Sequence, residues 1–146
     1  MMIPILLILL VAYASSNEEQ SVPVLVGKSY TVFTNFEGAR NVTGIKRQLF
    51  SDTDYSKWQY FHFCTKDGKN KATCGAWVDE AGKKISGANN NVKKVEDGGE
   101  ISKMQLSDSG RYSRHPANSD ELQAILETVK VYVQEGPKPP PSSSVY

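Results

Sequence analysis

The sequence has 146 residues, 17 basic and 16 acidic side chains, a net charge of +1 and 39% hydrophobic residues. That length holds about one domain. The near-neutral balance excludes a nucleic-acid binder, whose affinity comes from a strong basic excess.

In chain order, residues 1–15 read first as a secretory signal. Met1 to Val11 is an uncharged apolar run, and Ala12-Tyr13-Ala14 follows with the small-x-small pattern of a signal-peptidase site. The run is much shorter than the roughly 20 apolar residues of a spanning helix, and no later segment has membrane length. Residues 136–146 form a Pro/Ser-rich tail, expected to be extended and disordered. It is too polar to be the apolar signal for a lipid anchor. The folded part is therefore expected over residues 20–135, in a secreted, extracellular protein without a stable membrane anchor.

Val22 to Val26 is apolar and β-rich, with Pro23 placing it at a sheet edge or strand start. Tyr30, Val32 and Thr34 alternate along a second strand. Asn41-Val42-Thr43 is a sequon with no central proline, in a Gly-containing stretch that favours exposure, so Asn41 is expected to carry an N-glycan. Gly44 to Phe50 reads as a strand and Ser51 to Asp54 as a turn. Further on, Ile101 to Leu106 after the Gly98-Gly99 break, and Glu127 to Gln134 with Val129, Val131 and Val133 on one face, read as strands. Residues 120–126 fit a helix capped by Asp120 equally well. The total is eight or nine short strands, the pattern of a sandwich or a barrel.

The clearest hairpin spans Lys57 to Val78. Trp58 to Cys64 is aromatic-rich, Asp67-Gly68 marks a turn, and Thr73 to Val78 returns. Folding about Lys69 sets Cys64 opposite Cys74. Opposed residues on antiparallel strands have Cα atoms roughly 4.5–5.5 Å apart, within the range a disulfide tolerates. An even cysteine pair in an exported chain is oxidised by default, so a Cys64–Cys74 disulfide is expected.

Asp108-Ser109-Gly110-Arg111-Tyr112 resembles the D-S-G-x-Y motif of immunoglobulin-superfamily domains, with Ile101 and Met104 upstream at that family's spacing. The resemblance implies an all-β, immunoglobulin-like antiparallel β-sandwich of the V-like or I-like kind. It implies a tyrosine corner in which the Tyr112 hydroxyl bonds upstream backbone, Gly110 in a tight turn, and Asp108 accepting hydrogen bonds or an ion pair. The usual inter-sheet disulfide is lacking. The second cysteine's position is Arg114, and the first would fall near Thr34. A buried Arg114 needs a partner, so either the strand ends by Ser113 or the guanidinium reaches out to solvent. The Cys64–Cys74 pair is similar to the extra bridge of polymeric-immunoglobulin-receptor-type domains, with Phe63 where those keep the strand C tryptophan. Small secreted one-domain immunoglobulin-like proteins are similar in length.

Strand parity supplies the functional expectation. With Phe61, Phe63 and Trp77 pointing inward, Trp58, Tyr60, His62 and Cys64 point outward, together with Cys74, Ala76 and Val78. The Trp58-Tyr60-His62 stripe is the candidate binding face, since aromatic residues are enriched at interface hot spots. It would take an extracellular or cell-surface protein, in signalling or adhesion, or pair two copies. No catalytic, cofactor or metal site is expected. His62 and His115 are the only histidines, Cys64 is paired rather than nucleophilic, and there is no phosphate loop, G-x-S-x-G or H-E-x-x-H. Two alternatives remain. One is a lipocalin-like barrel carrying a small apolar ligand. The other is a glycan-binding or structural module using the recurrent lysines at 66, 69, 71, 83, 84, 93 and 94.

Overall fold

The structure, a computed structural model, describes residues 19–36, 41–52 and 57–137. The expected signal segment and nearly all of the tail lie outside the described residues. Among the described residues nine strands form: β1 Gln20–Leu25, β2 Tyr30–Phe33, β3 Gly44–Leu49, β4 Gln59–His62, β5 Trp77–Val78, β6 Val92–Val95, β7 Gly98–Ile101, β8 Gly110–His115 and β9 Val129–Gln134. One sheet has six strands in the order β1-β9-β8-β3-β4-β5, and the other has three in the order β2-β7-β6. β1 runs parallel to β9; every other paired strand is antiparallel. Pro23 sits in β1, at the edge of its sheet, where a missing N–H is tolerated.

The two sheets are open, each with two edge strands, so the lipocalin-like closed barrel is not what forms. Their facing sides pack solid. Val24, Val32, Ile45, Phe61, Phe63, Trp77, Ile101, Met104, Tyr112, Val131 and Val133 form one buried cluster. Alternation along each strand puts these residues on the inner face. Trp77 meets Phe61 and Tyr112 edge to face, with ring centres 5.6 and 6.3 Å apart, the geometry that the quadrupoles of aromatic rings favour.

Three places depart from the sequence expectation. First, the strand expected over Ile101 to Leu106 begins and ends earlier. Gly98 and Gly99 are inside β7 rather than a break, because the strand passes its neighbours too closely for a side chain. A Cβ at Gly98 would lie 2.0 Å from the Val32 carbonyl oxygen, and one at Gly99 would lie 3.2 Å from the Phe63 ring. Lys103, at φ 55°, then turns the chain, and Leu106–Asp108 is a short 3-10 helix. Met104 is nonetheless fully buried.

Second, the hairpin keeps its register but not its length. Phe61 pairs with Trp77, symmetric about Lys69 as expected, yet residues 63–76 form successive turns rather than two long strands. Asp67 Oδ1 accepts from the Lys69 N–H at 2.9 Å, and Gly68 takes φ 71°. Phe63 also does not occupy the strand C position. β3 holds that place, between β8 and β4, and the core tryptophan is Trp77 on β5. Cys74 and Val78, expected outward and exposed, are buried. Val78 is covered because the 79–85 turn folds back along β5, with Ile85 N–H donating to the Trp77 carbonyl at 3.0 Å.

Third, β8 does not stop at Ser113, and Arg114 does not reach solvent. The strand runs through His115. Arg114 is buried and its Nε donates to Glu127 Oε2 at 2.9 Å, with Nη1 donating to the Pro116 carbonyl at 3.1 Å. Glu127 ends the short helix α1, Glu121–Leu126, whose first turn is capped by Asp120 accepting from the Gln123 N–H.

A second buried cation anchors the other end of the sandwich. Arg47 on β3 pairs with Asp108 at 3.0 Å, donates to the Tyr112 hydroxyl at 3.2 Å and to Gln59 Oε1 at 2.8 Å, and stacks 4.0 Å above the Trp77 ring. Asp108 also accepts from the Gln105 backbone N–H and from Asn89. Among the described residues no buried side-chain nitrogen or oxygen lacks a partner, which is the condition for burying charge without a large penalty. The Tyr112 hydroxyl donates to the Asp108 carbonyl oxygen four residues upstream. Burial, opposed by the Arg47 charge, pushes the Tyr112 hydroxyl up to about 12.

Candidate binding face

The outer face of the six-stranded sheet is built by the residues that alternate with the core. On β3 these are Gly44, Lys46 and Gln48, continued by Phe50; on β4 they are Tyr60 and His62; on β8 they are Arg111, Ser113 and His115. The register sets them in rows. Gly44 lies opposite both His62 and His115, Lys46 opposite Tyr60 and Ser113, and Gln48 opposite Arg111.

The glycine decides what happens at the first row. Gly44 has no side chain, and a Cβ there would lie 2.1 Å from the Phe61 carbonyl oxygen. The two flanking imidazoles lean over the gap until their ring centres are 5.6 Å apart. Tyr60 joins them, 4.8 Å from the His115 ring edge to face and 6.4 Å from His62 in a parallel stack. Burial first, then the neighbouring His62 and Lys46, lower the His115 pKa, so its neutral form is favoured. Burial, with help from Glu80, raises that of Tyr60.

The next rows are cationic and aromatic together. Trp58 precedes β4 rather than lying in it, held by its backbone N–H donating to Glu80 at 3.2 Å. Its ring lies beneath two cations, Lys46 Nζ at 4.0 Å and the Arg111 guanidinium at 5.6 Å, an arrangement the negative face of an indole attracts. Burial and the Arg111 charge lower the Lys46 pKa. Arg111 in turn pairs with Glu19 and donates to Gln48 Oε1 at 2.6 Å. At the far end Phe50 stacks on Tyr132 of β9, ring centres 5.1 Å apart, and Tyr132 is 41% exposed.

The structure thus brings Trp58, Tyr60 and His62 to one side of one sheet. It adds His115, Lys46, Arg111, Phe50 and Tyr132, which sequence reasoning did not place there. The alternation Lys46-Gln48-Phe50 in a recognised strand is a signal for part of this. The partnership of β3 with β8, which delivers His115, has none in the sequence.

The other singled-out residues lie elsewhere. Cys64 and Cys74 are bonded, with Cα atoms 5.0 Å apart. The loop they close returns through the Gly75 N–H, which donates to the His62 carbonyl at 3.0 Å, so the bridge supports the end of the face. Asn41 is exposed in a turn just before β3. Gly110 opens β8 with no left-handed backbone. It serves close approach rather than a turn, since its Cβ would lie 2.3 Å from the Gln48 carbonyl oxygen. Among the described residues no group of three or more His, Cys, Asp or Glu side chains gathers as a metal site, and no helix is long and apolar enough to cross a membrane.

No protein-family model matches the sequence, and no curated protein matches it significantly. Solved structures similar in shape include the extracellular fragment, with stalk, of novel immune-type receptor 11 from Ictalurus punctatus. It has 18% identity over 86% of this chain and 93% of that one, with a TM-score of 0.48. Novel immune-type receptor 10 from the same species has 15% identity over 81% and 98%, with a TM-score of 0.45. CD84 has 14% over 82% and 100%, with a TM-score of 0.44. The chain's own topology carries the assignment. The variable-type immunoglobulin domain places two extra strands beside a three-stranded GFC sheet and faces it with the strands B, E and D; here β9-β8-β3 is extended by β4-β5 and faced by β2-β7-β6. With the Tyr112 corner in place at the start of β8, this chain has an immunoglobulin-like fold of variable-type topology.

Proposed function

We propose that this domain acts by protein–protein recognition outside the cell, through the outer face of its six-stranded sheet. The observation that carries the reading is the gathering of half-buried and exposed rings on that face, His62, His115 and Tyr60 at one end, Trp58 beneath Lys46 and Arg111, and Phe50 on Tyr132 at the other. Tryptophan and tyrosine rings beside an arginine are the composition of interface hot spots. The sandwich core is packed solid, and the chain's chemistry faces outward. A binding role therefore fits better than a catalytic one.

Three features of the chain support export: the apolar leader with its Ala12-Tyr13-Ala14 site, the exposed Asn41 in its sequon, and the Cys64–Cys74 bond, which persists in oxidising compartments. We assign secretion and glycosylation of Asn41 on those grounds. The test is expression of the tagged full chain in a secretory host, followed by cell-surface capture. Wild-type protein is expected in the medium, shifted in mass by an N-glycosidase. The Trp58→Ala/Tyr60→Ala variant should keep its circular dichroism and lose capture at least tenfold. Undiminished capture by that variant removes the face from the reading, and sedimentation of the free protein shows whether the bound partner is a second copy.

A further inference from the structure

The chain's only two histidines lie on different strands, far apart in sequence, and meet above a residue that has no side chain. Adjacent strands are about 4.8 Å apart, so positions flanking a central strand start about 10 Å apart, and an intervening side chain would keep them separate. Gly44 removes that obstacle. Neither imidazole donates to or accepts from a described residue; their contacts are with each other and with the Tyr60 ring. Their nitrogens are therefore uncommitted. Of the nearby cations, Arg111 is turned toward Glu19 and Gln48 and Lys46 Nζ lies over Trp58, although the Lys46 charge still reaches His115.

We propose that His62 and His115 form a two-imidazole site for a divalent first-row transition ion, Zn2+ or Cu2+, at the centre of the outer sheet face. Imidazole nitrogen is a preferred ligand of both ions. With metal–nitrogen bonds of about 2.0–2.1 Å and near-tetrahedral angles, the two ring centres of such a site stand roughly 5 Å apart. The observed ring-centre separation is 5.6 Å, close to that value, with the ring planes at 69° to one another. Two protein ligands leave coordination positions open, and on a sheet face those positions point away from the domain. An ion held there offers a docked protein a bond through a histidine or carboxylate of its own. This last consequence rests on the docking reading above; the uptake of metal by the free chain does not.

Titration of the full chain with ZnCl2 alone, followed by calorimetry and by the imidazole resonances in long-range 15N correlation spectra, tests the site. One equivalent should bind and shift both histidines together. Cu2+ should give an electron paramagnetic resonance spectrum with two coupled imidazole nitrogens. His62→Gln and His115→Gln should each weaken binding at least tenfold, with the near-ultraviolet signal of the core unchanged, and Trp58→Ala should leave binding intact. Wild-type affinity in either histidine variant, or no binding at millimolar ZnCl2, overturns the proposal. Because no partner is present, that failure leaves the docking reading standing, and capture at the cell surface is read separately from metal uptake by the free chain.

Discussion

Arg114 Nε and Glu127 Oε2 are 2.9 Å apart, with side chains 8% and 1% exposed. They form an ion pair at the position where related sandwiches carry the second cysteine of the inter-sheet bridge. Two buried charges attract strongly but lose their hydration, so the pair taken as a whole contributes little net stability. Breaking one side is another matter, because it strands the remaining charge. Arg114→Met and Glu127→Gln are each expected to cost about 3–5 kcal/mol in urea unfolding. The double variant Arg114→Met/Glu127→Leu should cost much less than the sum of the two. A strictly additive double-mutant cycle would mean that the two groups do not act as a pair.

The Cys64–Cys74 bond closes a loop of separation 10 outside the main core cluster. In the chain-entropy account a loop of that size stabilises by about 3 kcal/mol or less. Cys64→Ser/Cys74→Ser should therefore still fold, with its unfolding free energy lowered by that amount. Its largest change should be local. The Gly75 N–H that holds the His62 carbonyl belongs to the returning loop, so amide exchange should quicken at Gly75 before it does in β3 or β8. Global loss of structure in the double serine variant would contradict this.

Much of this architecture is legible in the sequence, for identifiable reasons. The β9 strand is readable because Val129, Val131 and Val133 repeat with period two, and the Phe61–Trp77 register because folding about Lys69, which sets Cys64 opposite Cys74, also sets Phe61 opposite Trp77. The 108–112 motif marks the Tyr112 corner because its chemistry is local, spanning one turn and one strand start. What is illegible depends on contacts between distant segments. Nothing near Arg47 in the chain announces that Asp108 will neutralise it, or that Glu127 will meet Arg114 across a loop containing a helix. Gly98 and Gly99 read as a break because local propensity disfavours glycine in strands; only the proximity of Val32, Phe63 and Ile45 explains them. The candidate face divides the same way. Tyr60 and His62 follow from alternation within β4, whereas His115 arrives through the pairing of β3 with β8.

Glycines at strand crossings give a sharper test of packing. The nearest atoms to a Cβ on Gly110 would be backbone, the Gln48 carbonyl oxygen at 2.3 Å and the Leu49 Cα at 3.0 Å, and backbone cannot swing aside. Gly110→Ala must push β3 and β8 apart at the Leu49–Gly110 pair, two positions along from the pair that aligns Arg47 with Tyr112. The expected cost is about 3 kcal/mol, at the upper end of overpacking effects. Gly136→Ala, whose Cβ meets nothing within 4 Å, is the control and should change the urea midpoint negligibly. Equal midpoints for the two variants would show that the strands can separate freely at Gly110.

Tyr112 links the corner to pH. Its hydroxyl is fully buried, between the Asp108 carbonyl and the Arg47 guanidinium, and titrates at about 12 rather than the ordinary 10.0. A folded-state value above the unfolded one means that the unfolded chain gives up its proton first. The stabilisation is therefore complete below pH 10 and is lost as pH rises through 12, by up to about 3 kcal/mol for a difference of two units. Tyr112→Phe removes the titrating group together with its hydrogen bonds. At pH 8 it should cost about 1–3 kcal/mol, because the Asp108 carbonyl loses its donor and Arg47 loses one acceptor. Between pH 10 and 12 the variant should lose less stability than the wild type, so the gap between the two unfolding free energies should narrow steadily. A gap that stays constant across that range would show that Tyr112 ionises as freely in the folded domain as in the unfolded chain.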